Sequence, residues 1–251
     1  NRIIFIKDMI PLLKNLLLNE GQSQISGSRK VIVPPNMRGF VKSNFSIAMG
    51  SDLELFRGAE YGLGVHFINP QRIVRSSKDS SNIYYILMDT LPSWEGFPSR
   101  SKSLICTNDV GIAEGYGSKV YSVFPNNRTK IGYGKYKNAY LEFSEVFRRV
   151  KLDIDQFSRY LTLFLAEILK SNSTVYSLVN SSMKHSDFNT VIDTLNKMDV
   201  INIVSNMYFD SMSIRGRYTS QISSDFLKNG KNGDLIGYLD GIMDPTKNGI
   251  H

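Results

Sequence analysis

The spacing of apolar residues in the second half of the chain predicts long helices. Between residues 154 and 169, apolar side chains recur every three or four positions, which places them on one face of a helix. A second run, from Phe188 to Met198, predicts another helix with Ser186 or Asp187 as its N-cap. Most of the chain beyond residue 150 is therefore expected to be helical.

The first part of the chain has shorter patterns. The segment from Ile3 to Leu18 is apolar with scattered charges, which predicts an amphipathic helix packed on the body of the protein. Short apolar runs then predict strands at residues 31–33, 40–47 and 53–55. The first part is therefore expected to contain both helices and strands.

The run Ile83–Met88 is apolar throughout, so its period alone does not distinguish a strand from a helix. We interpret it as a helix because residues that can cap a helix precede it directly in the sequence. Ser80 or Ser81 is expected to be that cap.

A strand, a short helix and a second strand are predicted at residues 103–106, 110–116 and 119–125. Together with the helical second half, this predicts an α+β fold. We expect a mixed domain at residues 1–150 and a helical domain at residues 151–251, with Lys151-Leu152-Asp153 as the seam.

Three short motifs follow one another in the first part of the chain. They are Leu55-Phe56-Arg57-Gly58, Ser103-Leu104-Ile105-Cys106-Thr107 and Glu142-Phe143-Ser144-Glu145. This order resembles that of the ADP-ribosyltransferase family, in which an aromatic-Arg-Gly strand, a Ser-Thr-Ser strand and a catalytic glutamate surround NAD. The resemblance implies an NAD cleft in the mixed domain, with NAD as substrate and a protein or nucleic acid as acceptor.

The residue types in these motifs suit cleavage of the bond between nicotinamide and ribose. A planar guanidinium can bind pyrophosphate through two hydrogen bonds, which gives this role to Arg57, with Arg75 as the alternative. A carboxylate stabilises the positive charge that develops on the ribose. Glu145 or Glu142 is the candidate, and on a strand the two side chains would face opposite sides.

The remaining predicted contacts of the cleft are hydroxyl and aromatic side chains. Thr107 would brace the catalytic carboxylate, and Ser103 offers a second register of the hydroxyl motif. Trp94, in a turn-rich loop before that motif, is either a cover for the nicotinamide ring or a residue that fixes the loop to the core.

A second candidate surface lies between Gly115 and Leu141, where no acidic residue occurs. Basic side chains neutralise phosphates and tyrosine rings stack on unpaired bases. The segment therefore predicts a nucleic-acid-binding surface, with a solvated basic strand as the other interpretation. The candidate residues are Arg128, Lys130, Tyr133, Lys135, Tyr136 and Lys137.

The composition favours an acidic partner and argues against proteins with intrachain disulfides or membrane-spanning segments. The net charge of +7 favours an acidic partner. The chain has one cysteine and three scattered histidines, so neither an intrachain disulfide nor a metal site is expected. No apolar stretch is long enough to span a membrane. We expect a cytoplasmic protein or one carried in a virion, and the general composition suits a bacteriophage protein. The absence of an initial methionine suggests a fragment or a processed form.

Two functions remain open at this point. The first is mono-ADP-ribosyl transfer from NAD to a macromolecule through Arg57, Thr107 and Glu145 or Glu142. The second is non-catalytic nucleic-acid binding or assembly through the basic, tyrosine-rich surface.

Overall fold

The chain has an α+β fold that divides into two compact units. The first unit comprises Asn1–Ile73 and Lys102–Lys137, and the second comprises Val74–Ser101 and Asn138–His251. The computed structural model describes residues 3–7, 12–15, 38–50, 54–61, 65–72, 81–134, 143–210 and 212–251.

These units do not coincide with the expected boundary at residue 150. The helix that begins at Ile83 packs with the C-terminal helices, and so does the helix that ends at Val150. Lys151-Leu152-Asp153 is accordingly a turn between two helices of the second unit, and Lys151, in the left-handed conformation with φ of 56°, ends the first of them.

The first unit is built on a sheet in which the described strands pair antiparallel in the order β4-β2-β6-β3-β5-β1-β7. The strands are β1 (Ile3–Lys7), β2 (Leu12–Asn15), β3 (Phe56–Ala59), β4 (Val65–Phe67), β5 (Leu104–Thr107), β6 (Lys119–Phe124) and β7 (Lys130–Tyr133). Two helices accompany them, α1 (Arg38–Gly50) and α3 (Val110–Glu114).

Two predictions for the first unit are wrong. The stretch from Ile3 forms β1 and β2 and not a helix, in keeping with its β-branched isoleucines and with Pro11, which a helix interior does not tolerate. The predicted strand at residues 40–47 lies within α1. The predicted strand at residues 31–33 lies outside the described residues.

The predicted strand, short helix and strand are confirmed as β5, α3 and β6. Asp109 caps α3, because its Oδ1 accepts a hydrogen bond from the N–H of Ile112 at 3.2 Å. Helix α3 packs on one face of the sheet against Phe56 and Val120.

The opposite face of the sheet carries a larger apolar cluster, since alternate residues of a strand face opposite sides. Leu55 precedes Phe56 and Tyr121 follows Val120, and both belong to this second cluster. The cluster consists of Leu55, Ile68, Leu104, Cys106, Tyr121 and Val123.

The second unit is helical. Its helices are α2 (Ile83–Thr90), α4 (Ser144–Val150), α5 (Ile154–Ile168), α6 (Ser173–Tyr176), α7 (His185–Leu195), α8 (Val200–Ser205), α9 (Ile214–Asn229) and α10 (Leu235–Met243). Short 3₁₀ turns also occur, at Pro70–Arg72 in the first unit and at Pro92–Trp94, Arg100–Lys102 and Lys231–Gly233.

The predicted long helix is confirmed as α5, which packs against α2, α4, α8 and α9. Its first turn is fixed by a capping box: Asp153 Oδ1 accepts from the N–H of Gln156 at 2.8 Å, and Gln156 Oε1 accepts from the N–H of Asp153 at 3.4 Å. The apolar face of α5 provides the centre of this unit.

Helices α2 and α7 also form where predicted, but their N-cap residues differ from the predicted ones. Asn82 is the N-cap residue of α2, and the hydroxyl of Ser81 accepts from the N–H of Ile83 at 3.3 Å. Helix α7 begins at His185, and Asp187 acts from its first turn by accepting from the N–H of Lys184 at 2.9 Å.

Candidate functional sites

Arg57 lies on β3, and its guanidinium reaches the neighbouring strand β5. Its Nη1 donates to the carbonyl oxygen of Ile105 at 2.7 Å. The side chain is half-buried, its Nε is buried without a hydrogen-bond partner among the described residues, and no described carboxylate forms an ion pair with it. Arg57 therefore bridges two strands and keeps part of its hydrogen-bonding capacity.

Thr107 lies on the adjacent strand, as predicted, but on the other face of the sheet. Phe56 and Thr107 are direct register partners, so their side chains share a face, and Arg57 as the next residue points to the opposite one. Thr107 Oγ1 accepts from the N–H of Asp109 at 3.2 Å, on the α3 side. The expectation that Arg57 and Thr107 line one cleft is thus wrong.

The glycine that follows Arg57 has a packing role. A Cβ atom at Gly58 would lie 1.9 Å from the carbonyl oxygen of Ala113 and 2.9 Å from the backbone nitrogen of Gly117. Gly117 in turn has no room for a Cβ atom, which would lie 2.4 Å from the nitrogen of Ala59. Gly58 and Gly117 therefore permit α3 and the residues after it to approach β3 closely.

Ser103 and Trp94 are both buried, and they belong to different units. Ser103 is fully buried just before β5. Trp94 is 4% exposed, its indole N–H donates to the carbonyl oxygen of Met243 at 2.9 Å, and its ring lies beside Phe97 and Phe143. Trp94 thus fixes its loop to the core of the second unit, as the second of its two sequence interpretations proposed.

Glu145 lies in the first turn of α4 and not on a strand, so the expected strand alternation with Glu142 does not apply to it. Arg148 donates to its carboxylate from Nε at 2.8 Å and from Nη2 at 2.6 Å. This hydrogen bonding to Arg148 lowers the pKa of Glu145, against an opposing effect of burial. The carboxylate is already engaged by a cation of its own helix, and Glu142 lies outside the described residues.

The turn around Glu145 is joined to a buried ionic group. Arg149 pairs with Asp225 at 3.1 Å and lies over the ring of Tyr238. Burial, together with the negative charge of Asp225, raises the pKa of the Tyr238 hydroxyl. These contacts hold α4, α9 and α10 together, which is a structural role.

The carboxylate of Asp89 is hydrogen-bonded to two serines and a histidine of the second unit. Its carboxylate accepts from Ser99 Oγ at 2.8 Å and from the N–H of Ser101 at 3.2 Å, and it binds His185 Nε2 at 3.1 Å. Ser99 and His185 both contact the carboxylate, and no described hydroxyl is hydrogen-bonded to the imidazole of His185. A nucleophilic serine requires its hydroxyl to be hydrogen-bonded to the histidine, which is in turn bonded to the carboxylate, and the described residues here lack that arrangement.

Helix α1 is attached to the turn after β6 by one asparagine. Asn127 Oδ1 accepts from the N–H of Ile47 at 3.0 Å, and Nδ2 donates to the carbonyl oxygen of Ser43 at 3.1 Å. The N–H of Asn127 also donates to the carbonyl oxygen of Asn44 at 2.8 Å. The turn and the helix are therefore held as one local structure.

Exposed cations lie on α1, on the attached turn and on the strand that follows it. Arg38 and Lys42 are exposed on α1, and Arg128 and Lys130 are exposed on the turn and on β7. The rings of Phe40 and Tyr133 are 48% and 38% exposed. We call this set the basic end; it consists of Arg38, Phe40, Lys42, Arg128, Lys130 and Tyr133.

Carboxylates are absent from α1 and from residues 115–134. Two acidic residues of the first unit, Glu60 and Glu114, lie near the start of β6, whereas the basic turn follows its end. Glu60 is held there by the backbone N–H of Ser118 at 2.6 Å. Glu54 is a further exposed acid, and it adjoins Leu55, whose carbonyl oxygen accepts from the N–H of Val123 near the end of β6.

Sequence reasoning identified part of the basic end and missed the rest. Arg128, Lys130 and Tyr133 were predicted, whereas Arg38 and Lys42 were not, because their segment was read as a strand. The signal was present, since α1 contains two cations and no acid. Lys135, Tyr136 and Lys137 lie outside the described residues.

No protein family model, curated protein or solved structure matches this chain. None of the described helices is long and apolar enough to cross a membrane. In the part of the chain that the structure describes, no group of three or more histidine, cysteine, aspartate or glutamate residues is placed to hold a metal ion.

Proposed function

We propose that this protein binds single-stranded nucleic acid through the basic end of its first unit. The observation that carries the proposal is the attachment of α1 to the turn by Asn127. It joins α1, which carries the exposed Arg38 and Lys42, to the turn that carries the exposed Arg128, and the two segments are far apart in sequence.

The electrostatic part of the proposal concerns phosphate. Lysine and arginine that contact phosphates release the counterions condensed on a nucleic acid, and this release drives binding. Arg38, Lys42, Arg128 and Lys130 form no ion pair with a described carboxylate, so their charges remain available. The net charge of +7 adds long-range attraction.

The aromatic part of the proposal favours a single strand. Phe40 on α1 and Tyr133 on β7 are exposed aromatic residues of the same unit. Base faces are accessible for stacking when the bases are unpaired, and such stacking tolerates different sequences. Cations together with exposed rings therefore fit a single strand better than a duplex.

ADP-ribosyl transfer from NAD remains a prediction from the sequence. It is favoured by the half-buried guanidinium of Arg57, which has no carboxylate partner among the described residues. Against it stand the opposite faces of Arg57 and Thr107 and the pairing of Glu145 with Arg148. The geometry supports nucleic-acid binding better.

A direct comparison of the two ligands tests the proposal. Fluorescence anisotropy of a labelled oligothymidine is titrated with the full chain, and thermal unfolding is measured with the oligonucleotide and with NAD. Binding of the oligonucleotide, with an increase in Tm that NAD does not produce, is expected. An increase in Tm with NAD alone, or no oligonucleotide binding at low salt, would contradict the proposal.

A further inference from the structure

An exposed apolar turn precedes α9 in the second unit. Tyr208 is 89% exposed, Met212 is 88% exposed and Ile214 is 65% exposed. Isolated apolar residues on a surface are common, but three largely exposed ones lie within seven positions here. We call these three residues the apolar turn.

The apolar turn is held in place by its own backbone. Ser213 Oγ donates to the carbonyl oxygen of Asp210 at 3.0 Å, and the N–H of Met212 donates to Asp210 Oδ1 at 3.0 Å. The carbonyl oxygen of Asp210 lies so close to Gly216 that a Cβ atom there would be 1.9 Å away. These bonds tie Met212 and Ser213 to Asp210, and such restriction reduces the entropy lost on binding.

Two cations follow the apolar turn in sequence and outnumber its one described carboxylate, Asp210, which accepts from the N–H of Met212. Arg215 and Arg217 are exposed in the first turn of α9, which contains no acidic residue. Neither forms an ion pair with a described carboxylate. Cations are disfavoured at the positive end of a helix dipole, so an anionic partner would relieve an unfavourable arrangement.

We propose that the apolar turn, with Arg215 and Arg217, is a docking surface for a protein segment whose apolar side chains are flanked by aspartate or glutamate. Tyrosine, methionine and arginine are the residue types enriched in protein interfaces. The carboxylates would pair with the two arginines, and the apolar side chains would cover Tyr208, Met212 and Ile214. This surface is separate from the basic end and does not depend on nucleic-acid binding.

Other occupants fit this surface less well. Met212 and Ile214 have no flat ring for stacking on bases, which disfavours a nucleic acid. A second copy in a two-fold contact would bring the same arginines of both chains to one interface, where they repel each other. A protein segment with carboxylates satisfies both the apolar and the cationic parts.

The test begins with selection of random 12-residue peptides displayed on phage against the immobilised full chain. Selected peptides are synthesised, and their affinities are measured by fluorescence anisotropy. We expect sequences that combine acidic with large apolar residues. The Tyr208→Ser/Met212→Ser variant and the Arg215→Glu/Arg217→Glu variant are each expected to weaken their binding at least tenfold.

Phe147→Ser is the matched control, because Phe147 is an exposed aromatic residue on α4 of the same unit. It is expected to leave peptide affinity unchanged, and far-UV circular dichroism confirms folding of all variants. The proposal is overturned if the selected peptides lack carboxylates, or if they bind the Tyr208→Ser/Met212→Ser variant as tightly as the unsubstituted chain. It is also overturned if sedimentation shows a dimer that this variant abolishes.

Discussion

The side-chain amide of Asn127 is hydrogen-bonded both to the N–H of Ile47 and to the carbonyl oxygen of Ser43 on α1. Asn127 Oδ1 accepts from Ile47 at 3.0 Å and Asn127 Nδ2 donates to Ser43 at 3.1 Å. Both helix groups are satisfied by a residue of the turn, so the helix and the turn depend on one side chain.

Asn127→Ala is expected to lower the free energy of unfolding of the first unit by roughly 1–3 kcal/mol, because it removes the three side-chain hydrogen bonds to Ile47, Ser43 and Ser46. Oligonucleotide affinity should fall as well, although no charge is lost. Denaturant unfolding and anisotropy measure the two effects. Asn196→Ala, at an exposed asparagine of the second unit, is the control; equal effects of both substitutions would contradict the role of Asn127.

Gly58→Ala should destabilise the first unit by about 1–3 kcal/mol or more, because the added Cβ atom meets the backbone of α3. Gly39→Ala is the matched control, since nothing lies within 4 Å of a Cβ atom at that position. It is expected to be neutral or slightly stabilising. Thermal unfolding of both variants decides whether Gly58 is required by packing.

Trp94→Phe is expected to cost roughly 1–3 kcal/mol of stability, since the indole N–H bond to Met243 is lost and part of the buried ring area with it. Because Trp94 is the one tryptophan of the chain, its fluorescence emission reports its burial directly. A blue-shifted emission that NAD leaves unchanged is expected. Tyr176→Phe, at an exposed tyrosine, should have no effect on stability; a stable Trp94→Phe variant with weaker NAD binding would restore the cofactor role.

Glu145 is expected to contribute to the stability of the protein at neutral pH. Arg148 lowers its pKa in the folded chain, so the ionised form stabilises the fold above the unfolded pKa of about 4.3, and this contribution is lost as the pH falls through the lower folded pKa. Glu145→Gln should therefore reduce stability at pH 7 and have little effect near pH 2.

The control for this experiment is Glu167→Gln, because Glu167 pairs with Lys170 on the exposed surface. Its effect should be small at every pH. The opposite pattern would favour a catalytic role for Glu145: unchanged stability at pH 7 together with loss of nicotinamide release from NAD.

The sequence predicts α5 in detail, because its apolar period and its capping box are both local. The β5, α3 and β6 segments were also predictable, since Asp109 and the surrounding alternation mark their limits. Each of these elements is determined by residues close together in the chain. Helix α9 was covered only by the general expectation of a helical second half.

The candidate sites depended on contacts that are distant in sequence. Arg57 and Thr107 point to opposite faces of the sheet because β3 pairs with β5 in a particular register. A short sequence motif contains no information about that register. The apolar residues of α1 were read as strands because short apolar runs do not settle their period. The attachment of α1 to Asn127 joins residues 80 positions apart, which no local pattern shows.

The salt dependence of oligonucleotide binding tests the central proposal most directly. The slope of log affinity against log salt concentration is measured for the full chain and for the variant Lys42→Ala/Arg128→Ala/Lys130→Ala. Each phosphate contact on a single strand contributes about 0.7 to this slope, so the variant should have a slope about 2 units shallower. Lys170→Ala/Lys197→Ala/Lys231→Ala removes the same charge from the second unit and should leave the slope unchanged. An equal slope for the two triple variants would contradict the account.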